Sequence, residues 1–176
     1  MQLLKKNHFE LLDQPPAFRI DLAQLERAFR TLQATVHPDR FVNHPPAERR
    51  LAMQLATMAN EAWQCLRDPI QRAVYLLQLR GLTVDPTSRS GFEPGFLMQQ
   101  MTWRETLEAI GREPDLEAAR NRLRNEVVAE RDRLVAELEQ LIDIDRLDDL
   151  AASRVRQLMF VERFLEQIEA IGDDEG

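Results

Sequence analysis

The sequence predicts an all-α protein in two parts, an N-terminal helical hairpin domain and a C-terminal three-helix bundle joined by a short linker. Apolar residues recur at steps of three and four along nearly all of the 176 residues, and no stretch shows a convincing period of two. Glycine is scarce, at six residues, and recognisable helix starts precede the main periodic runs. Between Gly81 and Gly95 the composition turns to Asp85, Pro86, Thr87, Ser88, Ser90, Gly91 and Pro94, which breaks the chain into two halves.

Each element has a local cause. A short helix around Asn7 to Leu12 brings Phe9 and Leu12 to a small core. Asp21 is an N-cap with Gln24 three residues on, and Leu22, Leu25, Phe29, Leu32 and Val36 then form the stripe of a helix that reaches about residue 36. Pro38 pushes His37 out of the α region, and Pro45-Pro46 closes a short loop. From about Ala47 a second long helix carries Leu51, Leu55, Met58, Ala59, Ala62 and Leu66 on one face, so the pair forms an antiparallel hairpin. In "RDPIQRAVYLLQLRG" Asp68 caps a further helix, Pro69 takes its first position and Gly81 follows its end.

Beyond the linker three helices are expected. The first spans about 95 to 110, stopped by Gly111 and Pro114. The second spans about 115 to 143, capped by Asp115, and the third about 146 to 171. Leu116, Leu123, Val127, Leu134, Leu138 and Leu141 make the seam of the second; Leu147, Ala151, Val155, Leu158, Leu165 and Ile168 make that of the third. The final "GDDEG" is too polar to pack and is expected to fray. The corresponding domains are 1–82, a linker at 83–94, and 95–176.

Composition excludes several classes. With 44% hydrophobic and 30% charged residues the chain has the balance of a folded globular protein, and no run of about 18 apolar residues is present to span a membrane. The start lacks the features of a secretory signal, and the single cysteine, Cys65, allows neither an intrachain disulfide nor a CxxC site, so a reducing, cytoplasmic location is expected. The net charge of −7 is unevenly divided: residues 1–82 carry 11 Lys/Arg against 8 Asp/Glu, and residues 83–176 carry 12 against 22. The acidic second half argues against nucleic-acid binding, which depends on cations at phosphates. The first half keeps a mild basic bias that suits an acidic protein surface.

"TVHPDRF", residues 35–41, stands between the two hairpin helices. Proline ends the first helix and fixes φ, so the imidazole of His37 and the carboxylate of Asp39 are held in a constrained turn. Asp39 can offer two oxygens to an arginine of a partner, with His37 as an adaptable group beside it. A plain loop cap at Asp39 and an idle surface histidine are the alternative.

A second feature emerges from counting around the helix at 95–110. Phe96, Trp103, Leu107 and Ile110 fall on one side, whereas Leu97, Met98 and Met101 fall on the other, beside Glu105 and Glu108. In the last helix Ala151, Leu158 and Leu165 mark the core and leave Phe160 roughly opposite. Such residues either pack beneath another element or form an exposed partner surface.

The amphipathic helix, "HPDRF" and the following helix resemble a J domain. "NEAWQCLRDPIQRAVYLL" at residues 60–77 and "GFLMQQM" at 95–101 narrow the similarity to the HscB family of iron-sulfur co-chaperones, over about residues 7–171. That resemblance implies a J domain that stimulates ATP hydrolysis by a heat-shock-70-class, HscA-like chaperone, and a C-terminal bundle that brings it an IscU-like iron-sulfur scaffold. It implies chaperone contacts at His37, Pro38 and Asp39, with Arg27, Arg30 and Arg40 as the available cations, and scaffold contacts at Leu97, Met98, Met101, Glu105 and Phe160. Two departures stand out. Arg40 occupies a position more often lysine in this family, which keeps the charge with a different geometry. Thr102 and Ala109 stand where further acids are common. A J-domain adaptor that delivers another client to a DnaK-like chaperone is the alternative reading.

His8, His37, His44 and Cys65 match no common metal spacing, so no metal or cofactor is expected. No nucleophile motif, phosphate loop or second carboxylate set surrounds His37 and Asp39, which predicts a protein without catalytic activity, and a monomer is expected.

Overall fold

The computed structural model describes residues Leu3–Ile171; the "GDDEG" segment expected to fray lies outside them. Among the described residues every regular element is helical and the chain forms two compact units, Met1–Arg80 and Gly81–Gly176.

In the first unit, Asn7 starts helix α1 (His8–Leu11) with a capping box: its side chain accepts from the Glu10 amide, and the Glu10 carboxylate accepts from the Asn7 amide. This places Phe9 and Leu12 in the core, at 0% and 1% exposure. Helix α2 (Leu22–Val36) is capped by Asp21, which accepts from the amides of Ala23 and Gln24. Helix α3 (Pro46–Arg67) packs against α1, α2 and α4 (Pro69–Leu79) through Ala52, Leu55, Ala59, Ala62 and Leu66, and the alanines let the backbones come close. Phe29 of α2 stacks on Trp63 of α3 with ring centroids 5.1 Å apart. Leu22, expected in the stripe of α2, is exposed, because the first turn of α2 meets only a shallow groove beside Trp63, Arg67 and Pro69. Asp68 caps α4 by accepting from the Gln71 amide at 2.8 Å, and Gly81 follows it at φ +87°, the left-handed position that ends many helices.

The second unit begins with an irregular segment that lies on its last helix. Helices α5 (Pro94–Ile110), α6 (Leu116–Glu139) and α7 (Asp148–Ala170) form the bundle, with α6 packed on both α5 and α7. Trp103 is fully buried, stacked against Phe164 at 5.8 Å, and its indole N–H is satisfied by the Glu126 carboxylate at 2.8 Å. Ser153 of α7 donates to the Gly91 carbonyl at 2.9 Å. Gly91 is at φ +78°, and a Cβ there would sit 2.9 Å from the Ser153 hydroxyl, so this approach requires glycine. Arg154 reaches the carboxylates of both Glu93 and Glu137, and its bond to Glu93 holds that carboxyl below the usual carboxylate range.

Two expectations are corrected. The second bundle helix changes type before 143: α6 ends at Glu139 and passes without a break into a six-residue π-helix over Gln140–Asp145, closed by Arg146 at φ 56° and by the Leu147 amide donating to the Leu141 carbonyl at 3.0 Å. Leu116 and Leu147, assigned to the seams, are exposed, since each stands at a helix start beyond the packed stretch. Conversely α7 buries more than its stripe, including Gln157 and also Ser153 and Arg154, on the side that the segment before α5 covers through Gly91 and Glu93.

Candidate functional site

The turn between α2 and α3 is built by the residues that punctuate the sequence there. His37 takes φ −58° and ψ 127°, the extended conformation enforced on a residue before proline, and Pro38–Phe41 forms one turn of 3-10 helix. The His37 Nδ1 accepts from the Asp39 amide at 3.3 Å and lies 3.6 Å from the Asp39 carboxylate. With Nδ1 as acceptor, the proton of the neutral ring sits on Nε2, which is left as a donor. The two side chains are 52% and 86% exposed, so neither serves the core.

The cations around this turn differ in their engagements. Arg40 donates from its guanidinium to the Ala34 carbonyl at 2.9 Å, so it caps the C-terminal end of α2 and ties the turn to that helix. Arg30 pairs with Glu26 one turn earlier, and Arg27 is exposed. The arrangement thus presents an exposed His-Asp pair, with Arg27 exposed on the helix before it and Arg30 and Arg40 held by their own partners.

In the second unit Leu97, Met98 and Met101 are 37%, 69% and 63% exposed along α5, with Glu105 and Glu108 exposed next to them. Thr102 and Ala109 are also exposed, and the Thr102 hydroxyl donates back to the Met98 carbonyl at 3.3 Å. Phe160 belongs to a different environment from the one its helical position suggests. It is half-buried, edge-on to Phe96 and stacked on Phe164, both at 6.0 Å, so it is the outer member of an aromatic cluster and not a free apolar knob. The sequence signal for this was present in Phe92, Phe96 and Phe164, but their convergence depends on how α5 and α7 cross. Buried Gln100, on the core side of α5, was missed for the same reason.

The weaker candidates separate in space. His8 stacks on Tyr75 at 4.4 Å, and His44 Nδ1 meets Glu48 at 2.7 Å one turn on. Among the described residues no group of three or more His, Cys, Asp or Glu side chains is placed to hold a metal ion. Burial pushes the Cys65 thiol up to about 11, with Asp68 adding to the rise. At pH 8 its thiolate is therefore scarce, and alkylation by iodoacetamide is expected to run on the order of a hundredfold slower than for a free cysteine with its pKa near 8.5. A rate equal to that of the free thiol would contradict this environment.

Comparison with known proteins agrees with this architecture along the whole chain. Residues 92–169 match the family described as the HSCB C-terminal oligomerisation domain. The co-chaperone protein HscB homolog of Burkholderia vietnamiensis is 47% identical over 180 residues, covering 97% of this chain and 96% of the relative. That of Paraburkholderia xenovorans is 46% identical over 171 residues, covering 96% and 95%. Among solved structures, the chaperone HscB from Vibrio cholerae superposes with a TM-score of 0.86 at 34% identity, covering 96% of this chain and 99% of that one. The human co-chaperone protein HscB gives 0.85 at 25% identity, covering 97% and 84%.

Proposed function

The chain belongs to the HscB co-chaperone family, and from that premise we propose that it couples two protein-binding events: its J domain stimulates ATP hydrolysis by an HscA-like chaperone of the heat-shock-70 class, and its C-terminal bundle delivers an IscU-like scaffold to that chaperone during maturation of iron-sulfur proteins. The proposed domains are 1–82 and 95–176 with 83–94 between them. The observation that carries the reading is the pairing of exposed His37 and Asp39 in the turn of one unit with an exposed Leu97, Met98 and Met101 ridge in the other.

The mechanism is binding linkage. A scaffold held by the bundle raises its own effective concentration at a chaperone engaged by the turn. Chemistry on ATP belongs to the chaperone, and this chain supplies contacts alone. His37, Pro38 and Asp39, with Arg27, Arg30 and Arg40, contact the chaperone; Leu97, Met98, Met101, Glu105 and Phe160 contact the scaffold. No described helix is long and apolar enough to cross a membrane, and the proposed site of action is the cytoplasm.

Steady-state ATP turnover by a purified HscA-like chaperone tests the proposal. Addition of this protein should raise turnover, and addition of the scaffold with it should raise turnover beyond the sum of the separate effects. Stimulation of a DnaK-like chaperone with an indifferent HscA-like one would favour delivery of another client. No stimulation of either chaperone would sink the co-chaperone role.

A further inference from the structure

Four arginines meet in the second unit, in a part of the chain whose overall charge is acidic. Arg89 from the segment before α5, Arg104 from α5, and Arg156 and Arg163 from α7 line one open cavity of about 300 Å³. Phe160 and Phe164 form its aromatic wall, and the Arg104 guanidinium carbon lies 5.8 Å over the Phe160 ring. Among the described residues that line the cavity none is acidic. Asp85 feels the charge of Arg156 only weakly, its carboxyl being held low mainly by bonds from the Thr87 hydroxyl and amide at 2.7 and 2.9 Å.

Two lining residues of this cavity carry a buried donor atom that lacks the partner burial demands. Gln100 is 6% exposed and its side-chain N–H group has no acceptor. Arg156 donates through Nη2 to the Ser90 carbonyl at 2.6 Å, while its buried Nε has no acceptor. Like charges gathered in a cleft are unfavourable in the free protein, and an oxyanion guest bonded to the guanidinium groups relieves them.

We propose that this cavity is a carboxylate-binding pocket that takes an acidic side chain of the scaffold protein, with an apolar neighbour of that side chain lying against Phe160. The proposal rests on the scaffold-delivery reading and extends its site. Around α5, Arg104 and Leu97 are only ~20° apart, so the pocket continues the Leu97, Met98 and Met101 ridge rather than forming a separate face. A planar carboxylate matches the fork of a guanidinium in two parallel bonds. The phenylalanine wall favours a protein segment over a free inorganic anion, and the acidic charge of this half of the chain disfavours a nucleic-acid backbone.

The test is calorimetric titration of the scaffold into the full chain, with Met98→Ala as the control for the apolar ridge. The double substitution Arg89→Glu with Arg163→Glu changes two exposed residues. It is expected to weaken binding at least tenfold and to remove the weakening of affinity by added salt that the wild type shows, with the thermal midpoint unchanged. The Arg89→Lys, Arg163→Lys protein should keep most of the affinity. If Met98→Ala weakens binding while charge reversal leaves it within twofold, the pocket is wrong and the scaffold reading stands. If the scaffold does not bind the wild type, both fall. A charge-reversed protein that melts early, with the lysine variant equally impaired, would make the effect structural and overturn the pocket. Inorganic phosphate is the probe for a free-anion role: displacement of scaffold by low millimolar phosphate, together with an insensitive charge-reversed variant, would also overturn it.

Discussion

His37→Gln is expected to abolish stimulation of the chaperone's ATPase while leaving helix content, the thermal midpoint and scaffold binding unchanged. The separation of effects follows from exposure. At 52% exposed, with one long bond from Nδ1 to the Asp39 amide, the imidazole contributes little to folding, and surface changes of this kind usually stay within about 0.5 kcal/mol. A residue central to an interface instead costs about 2 kcal/mol or more, roughly a 30-fold loss of affinity. Asp39→Asn should behave alike, since it removes the charge from a carboxylate that is 86% exposed. Undiminished turnover with either variant would remove the turn from the mechanism.

Met98→Ala combined with Met101→Ala should weaken scaffold binding by about 30- to 150-fold, from the loss of roughly 2–3 kcal/mol of apolar burial at a flexible, adaptable surface. The free protein should melt as the wild type does, because these side chains are 69% and 63% exposed and have little to lose on unfolding. Phe160→Ala is a poorer test of the same surface. Its ring is stacked on Phe164 and edge-on to Phe96, so truncation should cost about 3 kcal/mol of stability and confound any change in affinity. Titration of scaffold into the methionine double variant, with the melting curve recorded beside it, decides the matter: unchanged affinity would put the interface elsewhere.

Much of this molecule was legible because the causes are local. Asp21, Asp68 and Asp115 each start a helix by accepting amides two or three residues on, a bond that needs no tertiary partner. Pro38 acts on its immediate neighbour in the same way, and so the turn that presents His37 and Asp39 could be placed from the chain alone. The exposed side of α5 was legible too, since Leu97, Met98 and Met101 stand apart from Phe96 and Trp103 by helix geometry.

What helix geometry left open was how many sides of each helix are covered. One stripe was expected to be buried on α7, yet the segment before α5 covers a further side at Ser153 and Arg154, and the crossing of α5 and α7 draws Phe160 into an aromatic cluster. The change from α- to π-helix at Gln140–Asp145 likewise comes without a proline or glycine to announce it. The arginine cavity lies furthest from the sequence signal, because Arg89, Arg104, Arg156 and Arg163 come from three segments, and only Arg156 and Arg163, seven residues apart on α7, share a helix face. By itself the sequence determined the helices, their caps and the rigid turn, all consequences of bonds and angles within a few residues. Only the tertiary structure decided which polar groups lie buried and which charges meet, because those depend on packing between segments distant along the chain.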